Sequence, residues 1–292
     1  MPPLLEQLRA PAKINLTLRV TGRRADGYHL LDSIVLPVDF YDELEIRVTS
    51  SSHPSVHVSV ASEAVPGGPA NLAYRAAEAF LAQLKQPATV RVHLQKRIPV
   101  GGGLGGGSSD AAAVLLALNR LFHAPFAPEQ LAAIGLRIGA DVPFFVHGRP
   151  ARMTGIGEQL TPLDLPRPLA LVLCWDHCSV STKDVYARVA LSLTSPAPLS
   201  NILPLIGNTP SWDCLVNDLE AAAAQIHPEV LTLKTKLLAE GALGALMSGS
   251  GGVVFGICSD RRMAERVAVK LRHDGLWAQA VETLTISPAV QS

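Results

Sequence analysis

Between Pro99 and Ala113 the chain reads PVGGGLGGGSSDAAA, with six glycines among the seven positions Gly101 to Gly107. Glycine is entropically costly in any regular element, so a cluster this dense points to use rather than filler. Without Cβ atoms, the backbone can turn several N–H groups towards one concave site and let a ligand come close. Ser108, Ser109 and Asp110 offer N-cap chemistry, and AAAVLLALNRLF continues as a helix. A glycine loop opening onto a helix N-terminus suits an anion, above all phosphate. Two common phosphate motifs fit poorly. Gly101, Gly103 and Gly106 satisfy G-x-G-x-x-G, but the next acid, Glu129, follows Pro128 and begins another helical stretch, with no second strand between. No Gly-Lys-Ser/Thr closes the loop either.

Other residues could act beside such a loop. Lys13 and Asn15 share one face of an alternating strand near its start, so both can point into one space; a solvated strand face is the plainer alternative. Asp141, in GADVPFF, can be a catalyst or the N-cap of the turn before Pro143. Asp110 is expected to serve the helix N-terminus rather than act as a base, since it would repel phosphate. Tyr28 and His29, in DGYH, could stack on and hydrogen-bond a planar base, or simply pack; Thr182 and Tyr186, in SVSTKDVY, pose the same choice. SGSGG at 248–252 is a second small-residue loop that lets two backbones meet at a ligand. Cys174, His177 and Cys178 lie close together without a common zinc spacing, and the four cysteines, Cys214 and Cys258 included, read as ordinary thiols.

The elements that must position these residues follow from periodicity. Ala12–Val20 alternates, with Ile14, Leu16 and Leu18 on one face and Lys13, Asn15, Thr17 and Arg19 on the other. ADGYHLLDS reads as a turn; strands are expected at 33–38, 43–49, 55–60 and 89–94. Helices are expected at 72–84, 109–122 and 128–138. TPLDLPRP at 161–168 marks a boundary, followed by the buried strand LALVLCW. Residues 191–212 read as loop. Helices near 217–226, 229–240 and 260–273 then alternate with a strand before SGSGG, the strand VVFGIC and a final strand. Helices interleaved with short strands over 292 residues predict a two-lobed α+β enzyme.

Composition narrows the partners. Hydrophobic residues make up 48%, enough for a sizeable core, and 25 basic residues balance 25 acidic ones, against nucleic acid as main partner. The apolar run Leu169 to Trp175 is far too short for a bilayer, and the first residues lack the features of a secretion signal. The expectation is a cytoplasmic protein without membrane or nucleic-acid partners, a monomer or weak homodimer.

APAKINL at 10–16, ADGYH at 25–29, the glycine motif, GADVPFF, VSTKDVY at 180–186, NDLE at 217–220 and SGSGG together resemble the GHMP kinases, the family of galactokinase, homoserine kinase, mevalonate kinase and phosphomevalonate kinase. The resemblance implies an amino-terminal nucleotide-binding lobe over 1–160, a carboxyl-terminal α/β-plait lobe over 161–292, and an active site between them. It implies ATP as phosphate donor and, from APAKINL, DGYH and GADVPFF, an acceptor of cytidine diphosphate-linked methylerythritol type, phosphorylated on its 2-hydroxyl. Pro99, Val100, Gly101, Gly102, Gly103, Leu104, Gly105, Gly106, Gly107, Ser108 and Ser109 would then wrap the ATP phosphates. Asp141 would accept the hydroxyl proton and Lys13 would hold that region electrostatically. Tyr28 and Tyr186 would sandwich the cytosine, His29 would bond its edge, and Asn15 and Thr182 would position substrate. Carboxylates are weak bases towards alcohols, so the proton would move late. No carboxylate is assigned to Mg²⁺, expected with ATP on phosphate oxygens and water. The rivals are a homoserine- or mevalonate-type kinase of the same family and a non-catalytic nucleotide-binding module; the Lys13–Asp141 pair argues against the latter.

Overall fold

The computed structural model describes residues 4–61, 65–189, 212 and 215–291. Cys214 and, Trp212 apart, most of the loop expected over 191–212 lie outside them. A six-stranded sheet is built around a long antiparallel hairpin, β1 (Leu4–Arg23) and β2 (His29–Ser50). The other edge of β2 pairs with β4 (Ala88–Gln95) along 43–50 and with β5 (Ala151–Gly155) along 31–35. Strand β3 (Ser55–Val60) runs parallel to β4, and β6 (Gln159–Pro162) closes the far edge beside β5. Helices α1 (Leu72–Leu84), α2 (Gly106–Leu121), α3 (Pro128–Leu136) and α4 (Val142–His147) pack with this sheet in one apolar core. A second, wholly antiparallel sheet has the order β10 (Trp277–Glu282), β7 (Ala170–Trp175), β9 (Val254–Cys258), β8 (Gly244–Met247). With it go α5 (Thr182–Arg188), α6 (Glu220–Ile226), α7 (Glu229–Ala239) and α8 (Arg261–His273). A last helical turn, Pro288–Gln291, returns to β1 and α2.

Strand β1 ties both halves together. Its even-numbered residues enter three cores in succession: Leu8 and Ala10 the first, Ala12, Ile14 and Leu16 a seam against Leu173 and Phe255 of the second sheet, Leu18 and Val20 the second lobe. Register shifts after Pro11 and Asn15 accompany these changes of surroundings. The odd-numbered Lys13, Asn15 and Thr17 are buried too, so the strand has no solvated face there.

Several expectations need correction. The segments 33–38 and 43–49 are one continuous strand, because β1 pairs with β2 on both sides of a register shift at residues 38–41. In ADGYHLLDS only the tip turns, with Gly27 N donating to Arg24 O; pairing with β1 and β5 draws LLDS into β2. Helix α2 starts at Gly106, earlier than the sequence suggests, since Ser109 N already donates to Gly105 O at 2.9 Å. Its N-cap is therefore Gly105, at φ +70°, and Ser108, Ser109 and Asp110 lie inside the helix. The helix expected from 217 starts at Glu220, because Asn217 is held in a β-bridge to Leu18. Short elements without a periodic signal, α4, β5, β6 and α5, appear only in the structure.

Candidate active site

A cavity of about 890 Å³ lies where β1, the glycine loop, the DGYH turn, α5 and the SGSGG loop converge. Lys13, Asn15, Tyr28, His29, Asp141, Thr182 and Tyr186 all line it, as do residues 99–108. Ser109 does not: it is 1% exposed inside α2, and its Oγ has no hydrogen-bond partner among the described residues.

The loop is shaped by backbone demands. Gly101, Gly103 and Gly105 have φ of +76°, +81° and +70°, values that L side chains resist. A Cβ at Gly103 would lie 2.0 Å from Ser248 O, and one at Gly251 would lie 2.1 Å from Gly103 N, so the two glycine loops meet backbone to backbone. Val253 N donates to Gly102 O and Ser248 Oγ to Gly103 O, both at 3.2 Å, which fastens the loops together. On the other side Lys13 N donates to Leu104 O at 2.9 Å.

Lys13 Nζ donates to Asn15 Oδ1 at 2.5 Å and stands 3.8 Å from Asp141 Oδ2. Burial lowers the Lys13 pKa, with Asp141 pulling the other way. Asn15 Nδ2 in turn donates to Ser33 Oγ at 2.8 Å, fixing the amide so that its oxygen faces the ammonium. Asp141 occupies the N-cap position of α4 but makes no capping bond, and its side chain is 31% exposed. The capping alternative therefore fails here, and the carboxylate is free to meet a ligand.

His29 and Tyr186 pack ring on ring, with centroids 5.0 Å apart and planes 31° apart. Burial, then the Arg23 charge, lowers the His29 pKa, favouring a neutral ring able to accept as well as donate. Burial, then Asp141, raises that of Tyr186, keeping its hydroxyl protonated. Tyr28 is 61% exposed on the cavity rim and has no ring partner among the described residues. Thr182 Oγ1 and Ser250 Oγ lie 2.8 Å apart, joining α5 to the SGSGG loop.

One part of the site had no sequence signal. Lys96 Nζ is clasped by Asp42 and by Asp110, the latter at 2.8 Å, and all three are almost fully buried. Asp42 Oδ1 also accepts from Arg97 N at 2.6 Å and Ile98 N at 2.9 Å, setting the path into the glycine loop. Asp110 thus pairs with a lysine rather than capping the helix. Burial pushes its pKa up to about 8, with the charge of Asp42 adding to the rise and that of Lys96 opposing it. Lys96 moves upwards, the pair of carboxylates outweighing its burial. The partners are 54 and 14 residues away, beyond any local pattern.

A donor-rich loop with an ammonium–carboxylate pair in the same cavity is equipment for moving a phosphoryl group to a small acceptor. The models for the GHMP kinase N-terminal and C-terminal domains match residues 71–149 and 199–275. The chain belongs to the GHMP kinase family, the small-molecule kinases. Two relatives named 4-diphosphocytidyl-2-C-methyl-D-erythritol kinase are similar over nearly their whole length. One, from Citrifermentans bemidjiense, is 43% identical, covering 95% of this chain and 99% of its own. The other, from Geobacter sulfurreducens, is 42% identical, with 95% and 98% covered. A crystal structure of 4-(cytidine 5'-diphospho)-2C-methyl-D-erythritol kinase superposes with TM-score 0.82 at 40% identity, covering 95% of this chain and 99% of that one. A homoserine kinase from Cytophaga hutchinsonii shares the fold, with TM-score 0.74 at 18% identity, covering 98% and 96%. No helix among the described residues is long and apolar enough to cross a membrane.

Proposed function

We propose that the chain transfers the γ-phosphate of ATP to the 2-hydroxyl of 4-diphosphocytidyl-2-C-methyl-D-erythritol, giving the 2-phosphate and ADP in the non-mevalonate route to isoprenoid precursors. The observation that carries this reading is the Lys13–Asp141 pair, 3.8 Å apart in a cavity lined also by the glycine loop and by Tyr28, His29 and Tyr186. Kinship to relatives of that name at 42–43% identity supports the choice of acceptor.

Residues 99–108 cradle the triphosphate with backbone N–H groups and the start of α2, and Ser109 supports them from inside the helix. Asp141 orients the acceptor hydroxyl and takes its proton as the new P–O bond forms and the bond to the ADP oxygen breaks. Lys13, held by Asn15, offsets charge on the transferring phosphoryl group. The aromatic trio takes the cytosine, with Tyr28 closing from the rim, and Thr182 positions the acceptor. Mg²⁺ would arrive with ATP. Among the described residues no group of three or more His, Cys, Asp or Glu could hold a metal, so phosphate oxygens and water would supply most ligands. Carried in this way, the ion would offset negative charge on the phosphates during transfer. The reading divides the chain at residue 160, with the nucleotide on the first lobe, and has it act in the cytoplasm as a monomer or weak homodimer.

A panel of acceptors with labelled ATP tests the proposal. Phosphorylation of the cytidyl substrate is expected, with homoserine and mevalonate left untouched. Turnover of either of those without the cytidyl substrate overturns it.

A further inference from the structure

The segment NDLE at 217–220 lies outside the chemistry described so far, yet its side chains reach the SGSGG loop. Asn217 is 7% exposed, and Nδ2 donates to two carbonyls, Met247 O at 2.9 Å and Gly249 O at 2.8 Å. Its Oδ1 accepts from Leu219 N at 2.9 Å, so every strong hydrogen-bonding direction of the amide is committed but one acceptor lone pair. Glu220 Oε2 accepts from Met247 N at 3.1 Å, holding the same residue from its other side. The turn itself is pinned to β1: Leu18 N donates to Val216 O, Asp218 N to Leu18 O, and Val20 N to Asp218 Oδ2, all between 2.8 and 2.9 Å.

What Asn217 holds is informative. A Cβ on Gly249 would stand 3.2 Å from Lys13 Nζ, 3.3 Å from Asn15 Oδ1 and 3.1 Å from Gly103 O. A side chain at Gly249 would thus crowd the ammonium, its amide partner and the phosphate loop at once, and the bare backbone there lets all three converge. We propose that Asn217 is a positioning residue for phosphoryl transfer, its amide clamping Gly249 so that Lys13 is held in place. This rests on the kinase reading above. Asp218 shares the turn but braces only β1, so it separates a structural role from a positioning one.

Gly103 keeps two other tethers, from Ser248 Oγ and, through Gly102, from Val253 N, so nucleotide binding depends less on the clamp than the ammonium does. In Asn217→Asp the two carbonyls lose their donors while the acceptor to Leu219 remains. The expected result is a fall in kcat of at least tenfold, with the Kd for a fluorescent ATP analogue changed less than threefold. Labelling of Lys13 by an amine-reactive ester, read by mass spectrometry, should rise severalfold, a readout independent of the acceptor. Asp218→Asn should lower Tm and leave Lys13 labelling and kcat unchanged. Should Asn217→Asp fail to fold, Gly249→Ala probes the same contact from the loop and should reproduce the kcat loss and faster labelling. Unchanged labelling and kcat in whichever of these variants folds overturns the clamp. Absence of turnover in the parent chain with altered Lys13 labelling in the variant defeats only the choice of acceptor.

Discussion

Two buried lysine side chains abut consecutive positions of the glycine loop and have been given opposite surroundings. A Cβ at Gly105 would lie 3.1 Å from Lys13 Cγ, and one at Gly106 would lie 3.1 Å from Lys96 Nζ. Lys96 has two carboxylates against it, and the attraction carries its pKa above the ordinary lysine value. Lys13 has one carboxylate at 3.8 Å, and burial wins, carrying its pKa below that value. The number of acids decides which lysine is locked. Lys96 is neutralised by the protein itself, whereas Lys13 retains electrostatic capacity for a ligand. The same contrast has opposite signs in stability. Lys96 contributes stability that is present below the unfolded lysine value and lost as pH rises through its higher folded one. Lys13 costs stability that is full below its lowered folded value and fades as pH rises from there to the unfolded one.

The strongest test of this contrast is Lys96→Met. It leaves Asp42 and Asp110 buried without their cation, and should cost about 3–5 kcal/mol in urea unfolding, the usual effect of breaking a buried ion pair. Lys13→Met should do the reverse, cutting kcat by about 10²–10³-fold with little change in the urea midpoint. Equal stability losses in the two variants would erase the distinction. Asp141→Asn sharpens it further: kcat should fall about 10²–10⁴-fold with ATP-analogue binding nearly intact, and unchanged turnover would return Asp141 to a structural role.

A smaller effect isolates the shared proton beside Lys96. The Asp110 pKa, about 8 in the fold, lies above the unfolded value of 3.8, so between these values the folded chain holds a proton that the unfolded one has released. Stability attributable to Asp110 is therefore complete below the lower value and falls as pH rises, by at most about 1.4 kcal/mol per pH unit. Asp110→Asn should flatten that slope between pH 5 and 8 in urea titrations; an unaltered slope would place the proton elsewhere. Smallest is Tyr28→Ala, which should raise KM for the cytidyl acceptor by the equivalent of about 1 kcal/mol and spare KM for ATP. A changed ATP KM would blur the division of the cavity between its two ligands.

How much of this could be read from the chain depended on range. The glycine loop, α1, α3, β3, β4 and α8 carry local signals, and the structure has them close to where periodicity and punctuation put them. The polar–apolar alternation of Ala12–Val20 was legible, but not that its polar side is roofed over, since the roof is made by residues 103–105 and 248–250. Likewise the Lys96 cluster and the Asn217 clamp join residues with no sequence relation, visible only once the strands are paired. Short elements such as α4, six residues long, lack two turns in which to show a period.

The contact of Gly103 with Ser248 and Gly251 has a consequence for how the molecule is born. Ribosomal synthesis delivers the first loop some 145 residues before the second, the separation of Gly103 from Ser248. Until the later stretch emerges, the earlier bend has its tethers to Lys13 and Asp42 but lacks the backbone wall of Ser248 and Gly251, so a nascent chain has no finished cradle to fill. ATP in the surrounding cell should therefore meet a competent host only near the end of translation, and truncated products should pass through it empty-handed.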